Sequence, residues 1–165
     1  STSQISRGGR SMKVKSSIAD KILQGFCLAL LVGMTFYLLA GWSTFPDKLP
    51  MHFGASGQID RWGGKGILIF MLVMQWGLYL LCTGVERVPQ VWNTGVKVTA
   101  ANRERVYRIL KYMLETLKLI IQIIFSSLFV YITLARPLPG WSLPVMMILV
   151  FGDMAFWLIL LWRCR

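Results

Sequence analysis

Residues 143–162 read LPVMMILVFGDMAFWLILLW, twenty positions with one charged residue, Asp153, and no polar face. A surface helix of a soluble domain keeps its apolar residues periodic and leaves the other positions to water. This stretch is continuous instead. At 1.5 Å per residue it is long enough to cross a hydrocarbon core of about 30 Å. Working outward, the same reading holds for Leu117–Ala135, Ile67–Val85 and Ile22–Trp42. The chain is 55% hydrophobic and 15% charged, against about 25% charged in ordinary soluble domains, and its charges lie almost wholly between the blocks. In hydrocarbon each segment must satisfy its own backbone N–H and C=O groups, so the blocks are predicted helices; the short alternating segments of a barrel are missing. The expected architecture is an all-α membrane protein: a four-transmembrane-helix bundle with a structured extracytoplasmic loop and an amphipathic cytoplasmic helix. Residues 22–165 form its single membrane domain, and residues 1–21 a basic tail.

The basic residues orient this bundle. Arg7, Arg10, Lys13, Lys15 and Lys21 precede the first span, and Arg87, Lys97, Arg103, Arg105, Arg108 and Lys111 lie between the second and third. Lys118 stands at the entry to the third span, and Arg163 and Arg165 follow the fourth. The opposite side carries Lys48, Arg61, Lys65 and Arg136. The positive-inside rule places both termini and the middle loop in the cytoplasm of a multi-pass cell-membrane protein. That bias accounts for most of the formal charge of +11, so nucleic acid is not needed to explain it. The tail has no acidic residue and no apolar run, and reads as disordered. Met12 is an alternative start, and the Arg- and Ser-rich composition also fits a transit peptide.

The three cysteines, Cys27, Cys82 and Cys164, have no Cys/His spacing that predicts a disulfide framework or a zinc site. The single histidine, His52, falls outside the spans, so no span offers an imidazole to a haem. No cofactor is expected.

The outer loop is the richest segment. Pro46, Pro50, Gly54, Gly57, Gly63, Gly64 and Gly66 exclude a regular helix through it, and interleaved aromatic and charged residues suggest a compact loop. Trp42 and Trp62 suit an interfacial aromatic belt. Asp47, His52 and Asp60 could together bind a cation or move a proton, although their spacing matches no recognised metal motif. They could equally hydrogen-bond the loop itself, with Lys48, Arg61 and Lys65 at lipid headgroups. Exposed Met51, Phe53 and Trp62 also suit a docking surface for a peptide or protein.

The order Pro46-Asp47-x-Leu49-Pro50-x-His52-Phe53, then Gly57, Asp60, Arg61, Trp62, Gly63 and Lys65, resembles the signature of a bacterial membrane domain of unknown function. That domain is shared with the immunity proteins against the sporulation-delaying toxin. Val98, Thr99, Asn102, Arg103, Tyr107, Leu110 and Lys118 are similar to its second recurring segment. The resemblance implies a helical membrane domain that senses, binds or sequesters a peptide or partner, and favours docking over catalysis at the loop.

On the cytoplasmic side, Val106, Ile109, Leu110, Met113, Leu114 and Leu117 fall at steps of three and four, one face of a helix. Thr99 is its expected N-cap. Arg103, Arg105, Arg108 and Lys111 occupy the remainder and suit anionic headgroups. Asp153 is out of place in its span and should turn inward, with Gln75 and Gln122 as candidate partners and Gly152 allowing close approach.

Three functions compete: a non-enzymatic protein that binds an extracytoplasmic peptide or partner, alone or within an oligomer or larger membrane complex; a small proton- or ion-coupled transporter using Asp153; and a membrane enzyme using Asp47, His52 and Asp60. The spans lack the Gly/Pro interruptions of a discontinuous transporter helix, which favours the first.

Overall fold

A computed structural model describes residues 13–165; the expectations for Arg7, Arg10, Met12 and the preceding tail lie outside the described residues. Four helices follow one another: α1 (Ile18–Gly41), α2 (Gly66–Glu86), α3 (Arg103–Thr133) and α4 (Ser142–Trp162). All four are long and apolar enough to cross a membrane. Their outward faces are apolar, with Phe26, Phe36, Phe70, Ile148 and Phe151 each more than half exposed. Water would not tolerate so much contiguous apolar surface, and lipid does. The chain is that of a multi-pass membrane protein.

α1, α2 and α4 each pack on α3, which is the hub of the bundle. Buried residues along α3 show why. Val106, Leu110, Glu115, Lys118, Gln122, Ser126, Phe129 and Ile132 recur at helical spacing on one face. That face is apolar at its ends and polar in the middle, the reverse of a soluble helix, because in lipid it is the polar groups that must turn inward.

Two local features shift the expected boundaries. α1 starts at Ile18, one turn before the apolar block, because Ser17 and Asp20 form a reciprocal capping box. Residues just before it are tied to α3: Arg108 Nη2 donates to the Lys15 carbonyl, and Lys111 Nζ to that of Val14 at 3.4 Å. The amphipathic segment runs without a break into the third span, and the two form one helix, α3. Its N-cap is Asn102, not Thr99; Thr99 and Asn102 instead bond reciprocally one turn earlier, at 2.7 and 3.3 Å. Val106 and Leu110 are covered by Leu161, Cys164, Trp92 and Val98 of the chain itself.

The all-α expectation is corrected at the outer loop. Leu49–Phe53 (β1) and Ile59–Gly63 (β2) pair as an antiparallel hairpin, with irregular register either side of His52. The bulged pairing breaks the period-two alternation by which a strand is read from sequence. Leu49, fully buried, seats the hairpin on Leu38, Leu68, Phe129 and Ile132.

Candidate functional site

The bundle carries two candidate sites, one at the hairpin end and one toward the end with both termini. At the hairpin end the loop residues divide by role. Pro50 and Gly57 are buried, Phe53 and Lys65 half-buried, and Pro46, Asp47, His52, Asp60, Arg61 and Trp62 exposed. The buried and half-buried group fixes the hairpin. Lys65 Nζ donates to the Trp42 carbonyl at 2.7 Å and lies 5.5 Å from the Trp42 ring, so its charge sits at the negative end of α1. Gly57 adopts φ +87°, and its carbonyl accepts from the Leu138 amide at 2.8 Å. A Cβ there would lie 2.2 Å from the Leu138 carbonyl oxygen, so the hairpin tip meets the α3–α4 connection only through a glycine.

Beneath the hairpin, between α2 and α4, lies a groove of about 600 Å³. Phe70, Met71, Leu128, Ile132, Leu143 and Met146 line it, with Met51, His52 and Phe53 along the hairpin edge. It is an apolar space with a polar rim, the general form of a site for an apolar ligand.

The proposed acid–base trio does not assemble. His52 Nδ1 and Asp60 Oδ1 are 2.7 Å apart on an exposed face, whereas Asp47 is fully exposed and, among the described residues, pairs only with Lys65, at 4.0 Å. Among the described residues no three His, Cys, Asp or Glu side chains converge as a metal site.

Asp153 also departs from expectation. It does not meet Gln75 or Gln122. Its Oδ2 accepts from Thr116 Oγ1 at 2.9 Å and its Oδ1 from Trp157 Nε1 at 3.0 Å, a clasp between α3 and α4. The partner one turn away on its own helix satisfies the acid locally. Gln75 and Gln122 pair with each other instead, Nε2 to Oε1 at 2.9 Å, with Ser126 Oγ at 3.4 Å. That pair forms a second, separate clasp between α2 and α3.

The second site escaped the sequence reading. Lys118, treated there as a loop-side charge, is 1% exposed. Its Nζ donates to Gln24 Oε1 at 2.6 Å, Glu86 Oε2 at 2.9 Å and Thr83 Oγ1 at 3.3 Å, with the Tyr79 ring 5.0 Å away. All three ammonium hydrogens are thereby used. Gln24 Nε2 donates in turn to Glu86 Oε2 at 3.0 Å and to Glu115 Oε1 at 3.5 Å. Nearer the termini, Asp20 Oδ2 accepts from Arg108 Nη1 at 2.7 Å, with Lys111 Nζ at 3.6 Å. Arg108 and Lys111 thus face an internal carboxylate, while Arg103 and Arg105 remain exposed. A vestibule of about 470 Å³, lined by Asp20, Lys21, Gln24, Glu86, Lys111 and Glu115, adjoins this network. The signal for it was present: Glu115, Lys118, Gln122 and Ser126 fall on one helix face, although the first two lie at a span boundary where charges are usually assigned to topology.

Residues 29–75, from within α1 through the hairpin to Gln75 of α2, match the family described as a domain of unknown function (DUF1648). The match contains the whole hairpin. No curated protein and no solved structure matches the chain.

Proposed function

We propose that this chain is a non-enzymatic protein of the cell membrane, with cytoplasmic termini, that binds an apolar peptide or protein segment in the groove beneath its extracytoplasmic hairpin. The observation that carries this reading is the groove itself: an apolar space of about 600 Å³ between two spans, roofed by a hairpin held at both its base and its tip. A preformed site loses little entropy on binding. The exposed rim residues Met51 and His52, with Trp62 exposed elsewhere on the hairpin, supply the apolar body and polar edge from which interface anchors are made. The resemblance of the hairpin sequence to toxin immunity proteins points the same way, and the same surface would serve a subunit of a larger membrane complex. Exposed Arg103 and Arg105 contact anionic headgroups on the opposite face.

Photo-reactive residues placed singly at Phe70 and Met146, in the groove, and at Phe26, on an outward face of α1, test the reading in native membranes. The expected result is a polypeptide adduct at the two groove positions, none at Phe26, and loss of both when Leu143→Trp fills the groove. Lipid adducts of equal yield at all three positions would sink it.

A further inference from the structure

Asp20 on α1 and Glu115 on α3 are 3% and 1% exposed, and their carboxyl groups lie within hydrogen-bonding reach of each other. Their other contacts are unequal. Asp20 Oδ2 accepts from the Ser17 amide at 2.6 Å and from Arg108 at 2.7 Å, with Lys111 alongside. Glu115 Oε1 accepts one long bond from Gln24, and among the described residues no ion pair reaches Glu115. Asp20 Oδ1 and Glu115 Oε2 have no donor at all. Two ionised carboxylates only accept, so they cannot bond to one another, and at contact in a medium of low dielectric constant they repel. A proton resolves both difficulties by turning one acceptor into a donor, as in carboxyl pairs that share a single proton. Asp20 already faces two cations, so the proton belongs to Glu115.

We propose that Glu115 and Asp20 form a proton-binding site within the bundle, with Glu115 carrying the proton and the vestibule at the terminal end giving it access to water. The surroundings fit a single exchangeable charge. From α1 the site faces Lys21 and Cys27, from α2 Tyr79, Cys82 and Glu86 with Arg87 just past its end, and from α3 Arg108, Lys111, Tyr112 and Lys118. Glu86 is matched by Lys118, and Asp20 by Arg108 and Lys111. Glu115 is the acid left over. Loss of its proton places two like charges across the α1–α3 contact, so the site ties helix packing to proton availability at the terminal end. The inference is independent of any ligand in the outer groove.

Infrared difference spectroscopy of the full chain in liposomes, in chelator-treated buffer at neutral pH, reads the proton directly. Wild type minus Glu115→Gln should show one carboxylic C=O stretch, which shifts when the outer buffer is exchanged into D₂O. The glutamine variant keeps a donor toward Asp20 and should fold. If it does not, the alkaline-minus-neutral spectrum of wild type should show the same band lost. A carboxylate stretch in place of the carboxylic one would overturn the proposal. So would a band that appears only when metal ions are restored, or one that never exchanges with D₂O.

Discussion

The two ends of this bundle are built by different physics. At the hairpin end, Leu38, Leu49, Leu68, Phe129 and Ile132 make an apolar core, and fit is decided by shape, most sharply where Gly57 touches Leu138. Toward the termini, the same hub helix buries Glu115 and Lys118 against Asp20, Gln24 and Glu86, and fit is decided by charge. An apolar end tolerates changes that conserve volume and fails on steric intrusion. A charged end fails when one member is removed, because its partner is left buried and unpaired. On the readings proposed above, the first end would take an apolar segment and the second a proton.

The most severe break should come at Lys118. Lys118→Met keeps the volume but leaves Glu86 without its cation, and is expected to cost about 3–5 kcal/mol, the range for breaking a buried ion pair. Thermal unfolding in nanodiscs should show the loss, and Lys118→Met/Glu86→Gln should recover more than half of it. A single variant no weaker than the double would mean that the two ends do not differ in kind. The matching break at the hairpin end is Gly57→Val. A β-branched residue at φ +87° adds backbone strain to a clash with Leu138, for about 2 kcal/mol. Here the damage should be local: faster amide exchange at Leu138, with the α1–α3 ionic network unchanged.

The ends also differed in how far the sequence revealed them. The four spans were legible because continuous apolar runs of spanning length have few other uses; the limits of α2 and α4 agree within a turn, while α1 starts a turn early at its capping box and α3 starts fourteen residues early because the amphipathic segment runs into the span without a break. The hairpin was not, since Pro50, Gly54 and Gly57 excluded a helix without indicating that a bulged register would pair Leu49 with Gly63. Pro50, Gly57 and Lys65 were singled out as loop residues, but which residues fix the loop and which are displayed depends on contacts with Leu138 and Trp42, far from them along the chain. The ionic core was missed for a different reason. Glu86, Glu115 and Lys118 sit at the edges of apolar windows, where composition cannot separate a charge that meets headgroups from one that turns inward on a longer helix. Asp153 drew attention by standing mid-span, yet its partners are Thr116 and a tryptophan on its own helix.

Between the two ends, Gln75 and Gln122 mark the transition, and their effect should be smaller than that of either break. Gln75→Leu removes the bond to Gln122 Oε1 while the Gln122 amide keeps the Gln75 carbonyl at 3.4 Å. The expected cost is about 1 kcal/mol, in line with interhelical hydrogen bonds in membranes. The double change Gln75→Leu/Gln122→Leu should cost little more than the single one in the same unfolding assay. A loss approaching that of Lys118→Met would extend the charged end further up the bundle than the geometry indicates.

The smallest effect, and one of opposite sign, is expected at the hairpin end of α3. Ala135 adopts φ 52° there, the left-handed position that closes a helix. The Arg136 amide donates back to the Tyr131 carbonyl at 3.1 Å and the Ala135 amide to that of Ile132 at 3.0 Å, the paired bonds of a Schellman ending. A side chain in this conformation costs about 1–2 kcal/mol that glycine does not incur, while glycine loses more freedom on folding, by about 0.4–1 kcal/mol. Ala135→Gly should therefore stabilise the protein by about 0.5 kcal/mol, seen as a small rise in Tm. Because Ala135 lies three residues before Leu138, the gain should act on the same connection that receives the hairpin tip. If the connection and the hairpin form one unit held by conformation, the gain from Ala135→Gly should change in the Gly57→Val background, while it adds unchanged to Lys118→Met. Strict additivity with Gly57→Val would show that the tip contact and the helix ending are independent, and that shape at this end is enforced residue by residue.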